Sequence, residues 1–417
     1  MKSPLTIALL LLILTFGNVA TAFDWPQIFG PNRDGKASNE ELLGEWPEGG
    51  PKKLWTHPVG DGYAGPAVVG NQVIIHHHEK RTSVVESLNA ETGKVNWKKT
   101  LPGEYRSGMD RDGGSRCVPL IHKDKIYVMD AGANLTCLNL ADGKGVWHRE
   151  LAKDFGAPLG FFGAGSTPIV VDDKLLVNVG ADDACVVALN LSDGEAAWTF
   201  GNDKASYSSP ITFEFANKKV VAFVTRLNLY GLNPADGSLY FEIPFGMRGP
   251  TVNGANPVYA DGHLFLNSAY NVGGRWVKLS EEGDGIKAEV AWSNNESFAS
   301  QYSTPIYQDG YLYGTHGRED FQNGSLRCVE AKTGEVKWKH DVPVGHVILA
   351  GDKMLVLENR GTLHLVKLDS EKFQSLANHK VFDGLSRPLP ALSNGKLYLR
   401  SNGPKGELVC LEVGKSK

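Results

Sequence analysis

Short runs of alternating apolar and polar residues, each closed by turn residues, repeat along the chain from Lys52 to Val413. VVESLNA from Val84, LTCLNLA from Leu135, CVVALNL from Cys185 and LRCVEA from Leu326 have the period of half-buried strands. Each leads into a Thr-Gly or Asp-Gly pair (Gly93, Gly143, Gly194, Gly334), and a glycine there closes a tight hairpin at low conformational cost. A related unit ends in Asp236-Gly237. A second hairpin precedes each unit, as in GPAVVGNQVIIHHH from Gly65 and PALSNGKLYLRSN from Pro390. Two hairpins per unit predict four antiparallel strands.

A large aromatic opens the last strand of each unit: Trp55, Trp97, Trp147, Trp198, Phe241, Trp292 and Trp338. Their spacing, roughly 40–50 residues, is that of a propeller blade. A buried indole contributes up to about 4–6 kcal/mol of apolar transfer, so these positions predict blade-to-blade docking. Gly345–Leu376 has the strands but lacks the tryptophan, leaving a complete or a shortened seventh blade open. Pro390–Val413 runs out before a fourth strand, and KKLWTHPV at Lys52–Val59 supplies it. The prediction is an all-β, eight-bladed β-propeller of four-stranded antiparallel blades, closed by an N-terminal strand.

The 48 glycines fit a chain of many reversals, and a formal net charge of −4 gives no general attraction to nucleic acid. At the N-terminus, Lys2, the apolar run LTIALLLLILTFG and the Ala20–Ala22 triplet have the layout of an export leader cleaved between Ala22 and Phe23. No later apolar run is long enough to span a bilayer. The expected organisation is a leader over 1–22, an extension over 23–51, the propeller over 52–413 and a tail over 414–417. The protein is expected to be exported, periplasmic or secreted, and monomeric. The odd, widely spaced cysteines (Cys117, Cys137, Cys185, Cys328, Cys410) read as buried thiols with at most one or two disulfides, and no C-x-x-C-H haem motif occurs.

The A-x-[TD]-G-x-x-x-W repeat resembles the pyrroloquinoline-quinone (PQQ) repeat propellers over most of residues 52–413. DWPQIFGPNRDG from Asp24 is similar to the opening of many secreted PQQ-like members. That superfamily contains quinoprotein alcohol dehydrogenases and also non-enzymatic relatives, such as the scaffold lipoprotein of the outer-membrane β-barrel assembly machinery. A dehydrogenase of this kind implies adjacent cysteines, a Glu/Asn/Asp set around Ca²⁺ and a tryptophan beneath the quinone. Here no two cysteines adjoin, and the docking positions leave only Trp25, Trp46 and Trp276. The expectation is therefore no cofactor, with PQQ and Ca²⁺ as the alternative.

In a propeller, the loops between blades and those between second and third strands share one face, around the central funnel. On that face the sequence places Arg106, Arg116, Arg226, Arg318, Arg360, Arg387 and Arg400, together with Asn256 and Tyr302. Planar guanidinium forks suit carboxylates, phosphates and sulfates, so the face reads as a mouth for a protein, a polysaccharide or an anionic small ligand. Pairing of these arginines with neighbouring acids, including Asp130, Asp182, Asp183, Glu319 and Asp320, is the structural alternative. His316 with Glu319 or Asp320 is a weak catalytic set for a hydrolase or lyase. The tract His76-His77-His78 is expected at a solvated edge, and no metal site is expected. Phe161 and Phe162 are expected to plug the channel. The reading favoured is an exported binding or scaffold propeller.

Overall fold

The computed structural model describes residues 24–80, 82–103, 105, 113–321, 323–403 and 405–415. Each predicted pair of hairpins forms one sheet, and the chain builds eight four-stranded antiparallel sheets. The first strands of neighbouring blades touch one another around the axis, so they are the innermost. Blade one, Ala67–Thr100, is followed in order around the ring. In blade eight, Lys52–Val59 pairs antiparallel with Gly406–Glu412, so the two ends of the chain share a sheet.

Six indoles fasten the ring. Each Nε1–H donates to a carbonyl in the next blade's outer turn: Trp55 to Ala90 at 2.9 Å, Trp97 to Leu140 at 3.1 Å, Trp147 to Leu191 at 2.9 Å. Trp198 reaches Pro234 at 3.2 Å, Trp292 reaches Ala331 at 2.9 Å and Trp338 reaches Asp369 at 2.8 Å. In five of the six a turn glycine lies beneath the ring, and under Trp338 Phe373 packs instead. At Gly194 φ is 74°, and a Cβ would stand 2.8 Å from Trp147 Cε3, so both conformation and contact exclude a side chain.

The exceptions have physical reasons. Blade five ends in a long ribbon, Gly273–Glu282 with Gly285–Asn294, in place of the tight turn. Opposite it stands Phe241, which has no N–H to place and packs in one cluster with Leu279 and Ile286. Blade seven is complete, with strands Gly345–Ala350, Lys353–Glu358, Thr362–Lys367 and Ser375–Lys380; the shortened alternative is corrected. Ala377 pairs with Leu365 where, one blade earlier, Trp338 pairs with Cys328. Blade eight offers no outer turn because its last two strands come from opposite chain ends. Leu42 and Trp46 of the N-terminal segment join Phe382 in the core there, with Ala377 packed against it.

That N-terminal segment also fills the channel. Trp25 bridges Val68 of blade one, and Pro26 accepts from Ile121 of blade two at 2.8 Å. At the tip of the loop, the buried Arg33 donates to the carbonyls of Thr167, Pro168 and Pro210, on blades three and four, and to Gln27 Oε1. The segment then returns past blade seven, where Ala37 N–H meets Leu349 O at 2.8 Å. In blade eight the Glu40 carboxylate accepts from the amides of Asn394 and Gly395. Phe161 and Phe162 therefore do not plug the channel: Phe161 is 45% exposed, and the Phe162 ring leans on Tyr207.

Above Arg33 a relay links five blades just before their first strands. Val118 N–H donates to Thr167 Oγ1 (3.1 Å), Thr167 N–H to Ser209 Oγ (2.9 Å), Ser209 N–H to Asn256 Oδ1 (2.7 Å) and Asn256 N–H to Thr304 Oγ1 (2.8 Å). A proline follows each acceptor residue and holds it extended, so its side chain can reach sideways to the preceding blade. Asn256, expected to bind ligand, is a link in this chain.

The fastener predicts a graded cost. Trp147→Phe keeps most of the apolar area but strands the Leu191 carbonyl, and should lower stability by about 1 kcal/mol. Trp147→Ala should cost about 3–5 kcal/mol. Urea unfolding of the two variants, followed by fluorescence, measures both.

Candidate functional site

The funnel-face loops are held in place largely by the arginines that sequence reasoning placed there. Arg387 grips Glu319 through Nε and Nη2 at 2.6–2.9 Å, while Tyr302 donates to Glu319 Oε2 at 2.9 Å. Its Nη1 reaches the Tyr63 hydroxyl at 3.3 Å, and its guanidinium lies 5.3 Å from that ring. Arg116 lies over the same ring at 5.2 Å. The Tyr302 hydroxyl is held well above the usual phenol range, first by burial and then by the Glu319 charge. Burial opposes the charge of Arg387, but the hydrogen bonds and charge of Glu319 prevail and raise its pKa. The contacts of Arg387 with Glu319 and Tyr63 join loops of blades one, six and eight.

The other candidates lie apart from it. Arg318 pairs with Asp320 and sits 4.4 Å from both the Tyr270 and Phe321 rings. Arg226 donates to the carbonyls of Met247 (2.8 Å) and Gly249 (2.7 Å), bracing the loop that carries Met247 and Arg248. Arg400 is fully buried and donates to Ala64 O, His76 O and Gly60 O. Arg360 lines a cleft of about 360 Å³ between blades six and seven, with Arg318, Asp341, Pro343, Asn359 and Leu385. Arg106 lies outside the described residues.

His316 does not form a catalytic dyad with its acidic neighbours. Its Nδ1 accepts the Ala299 N–H at 3.0 Å, and burial, then Arg327 and Lys339, lower its pKa to about 4. Glu319 and Asp320 are committed to Arg387 and Arg318.

The histidine tract is buried rather than solvated. The strand Gln72–Glu79 is interior to its sheet and covered on both faces, so His76, His77 and His78 are at most 2% exposed. His77, Glu79 and Glu86 have the spacing of a metal group among the described residues. The surrounding contacts argue against a cation there. Gly60 N–H donates to His77 Nδ1 at 3.0 Å, which puts the ring proton on Nε2, the atom facing Glu86 at 3.7 Å. Lys98 already stands 2.6 Å from Glu79 and 3.0 Å from Glu86, and His57 Nε2 lies 2.6 Å from Glu86. Burial pushes the Glu86 carboxyl up, but its bonds to His57, His77 and Lys98 outweigh that and lower its pKa.

All five cysteines are buried and free, and burial raises their thiols to about 11–12. No adjacent pair exists to cover a quinone.

Sequence reasoning missed two features of this face. Tyr63 and His346 belong to the network, His346 Nε2 meeting the Arg387 carbonyl at 2.8 Å. Exposed apolar side chains also ring the funnel: Leu159 (41%), Phe161 (45%), Met247 (39%), Phe321 (64%) and Leu385 (45%). Single apolar residues among loop glycines and prolines carry no periodic signal, and only the closed ring gathers them.

Comparison with known proteins gives one family. A family model described as outer membrane protein assembly factor BamB matches residues 81–340. The curated protein of that name from Burkholderia pseudomallei is 24% identical over 366 residues, covering 84% of this chain and 85% of its own. Among solved structures, BamB from Moraxella catarrhalis superposes with a TM-score of 0.61 at 14% identity, covering 86% of this chain and 97% of its own. Quinohemoprotein alcohol dehydrogenase from Comamonas testosteroni gives 0.67 at 14% identity, covering 96% and 82%. These structural likenesses establish the propeller fold.

Acid should destabilise the fold through three histidines. Burial, acting first in each, holds His78, His316 and His346 at about 4 against an ordinary 6.5. The unfolded chain binds protons that the folded chain refuses, so this stability is full above about pH 6.5 and is lost as pH falls towards 4. Urea midpoints between pH 7.5 and 4.5 should fall accordingly, and His346→Gln should flatten part of the slope.

Proposed function

The chain belongs to the family of outer membrane protein assembly factor BamB, and from that premise we propose that it is an exported propeller that docks polypeptide on its funnel face. The observation that carries this reading is the ring of exposed Leu159, Phe161, Met247, Phe321 and Leu385, all on that face. Aromatic, methionine and arginine side chains on a stiff frame are the composition of protein interface cores. The arginines supply the stiffness, because those with defined contacts are engaged by carboxylates, carbonyls or aromatic faces within the protein. A mouth for a small anion or a polysaccharide would need more of those forks left for its ligand. Among the described residues no helix is long and apolar enough to cross a membrane.

The quinoprotein alternative draws on the fold it shares with the alcohol dehydrogenase. Its cysteine pair is missing, and six of the indoles are spent on blade docking.

Photo-crosslinking residues placed singly at Phe321 and Leu385 should capture protein in the exported fraction. The same residue at Val146 or Leu376, exposed on outer strands, should not. Equal capture from both sets, or none from the rim, would refute the reading. A thermal melt with PQQ plus Ca²⁺ checks the alternative: a ligand at 100 times its Kd adds about 2.7 kcal/mol, and the expected result is no shift.

A further inference from the structure

Asparagine followed by glycine is a labile pair, because glycine has no side chain to shield its backbone N–H from the amide before it. The chain has four such pairs: Asn253-Gly254, Asn323-Gly324, Asn394-Gly395 and Asn402-Gly403. Three are restrained by the fold. Asn253 is 2% exposed, and its Nδ2 donates to the carbonyls of Thr225 (2.9 Å) and Arg226 (3.2 Å). Asn402 Nδ2 donates to Gly62 O at 3.0 Å and its Oδ1 accepts the Arg387 N–H at 2.8 Å, so both ends of the amide are held. In the third pair the attacking atom itself is engaged: Gly395 N–H donates to the Glu40 carboxylate at 2.8 Å.

Asn323-Gly324 has none of these restraints. Asn323 is exposed, in the loop between the second and third strands of blade six. Among the described residues nothing accepts from its Nδ2 or from the Gly324 N–H. Its Oδ1 accepts the Arg318 N–H at 3.2 Å, and that donor faces the oxygen on which charge builds when the amide carbon is attacked. We propose that Asn323 is the site at which this protein deamidates spontaneously. The Gly324 nitrogen bonds to Asn323 Cγ and gives up its proton, the Cγ–Nδ2 bond breaks, and the nitrogen leaves as ammonia from a cyclic succinimide. Water then opens the ring at either carbonyl, giving aspartate or isoaspartate at this position. The product adds a carboxylate to a loop that already holds Glu319 and Asp320 beside Arg318. Isoaspartate also lengthens the main chain just ahead of the strand Ser325–Glu330. Phe321 stands on the same loop, so the change falls on the rim of the funnel face. This chemistry stands whether or not that face docks polypeptide.

The test ages the mature full chain at neutral pH, folded or in urea, and follows each pair by peptide mapping with mass spectrometry. In the folded chain Asn323 should convert to acid at least about tenfold faster than Asn253, Asn394 or Asn402, whose partners must open before they react. In urea, where those partners are lost, the four rates should converge. Conversion at Asn323 should give two peptides of equal mass, aspartate and isoaspartate, and a new acidic species on anion exchange. Asn323→Gln should remove that species, because the longer side chain closes a larger and slower ring. The position is exposed, and circular dichroism melts confirm that the variant is folded. An unreacted Asn323, another of the four converting as fast in the folded chain, a preference for Asn323 undiminished in urea, or an acidic species that survives Asn323→Gln would each overturn the assignment.

Discussion

The structure depends on the contact between an indole and the outer turn of the following blade. The ring needs a carbonyl in line with Nε1 and, in five of the six cases, a turn glycine beneath it, so one interaction fixes both the tilt and the spacing of adjacent sheets. A propeller has no layer of helices to absorb errors in that spacing, and eight small errors would leave the ring open. Where the outer turn is replaced by a long ribbon, the indole gives way to Phe241. Where no turn can exist, the anchor shrinks to Ala377 and the N-terminal segment supplies the bulk. The deviations follow the geometry of the neighbouring blade.

The strands, the blade count and the closing role of Lys52–Val59 were legible because they rest on local alternation and on a repeat that recurs at fixed distance. Alternation misled at His76–His78. An interior propeller strand has a neighbouring blade on each face, so period two no longer separates inside from outside. The seventh blade was ambiguous because its marker residue had no partner to mark. The channel filling was illegible for another reason: Trp25 and Arg33 lie in a segment without periodicity, whose partners span the whole chain.

The candidate site was legible in placement and less so in use. Arg116, Arg318, Glu319, Tyr302 and Arg387 do gather on one face. A guanidinium suited to a ligand's carboxylate is equally suited to the protein's own, and which of these prevails depends on distances that no linear pattern carries. Arg387 finds Glu319 and Arg318 finds Asp320, while Arg226 and Arg400 satisfy loop carbonyls. The charged residues thus stiffen the loops, and Leu159, Phe161, Met247, Phe321 and Leu385 are left exposed on them.

The threading of the channel bears on how such a chain is made. Glu40 meets Asn394 and Gly395, Leu43 meets Val413, and Lys52–Val59 pairs with Gly406–Glu412. The earliest part of the ring therefore waits for the last. Contacts of this sequence separation form late and slowly, because the loop entropy is lost before any native energy returns. Until the C-terminal strands arrive, Leu42 and Trp55 lack part of the cluster that buries them, and a chain cut short at blade seven can never complete it. Completion of synthesis thus acts as a checkpoint on folding: an interrupted product stays apolar at its head and open to proteolysis, and only a full-length chain can seal itself.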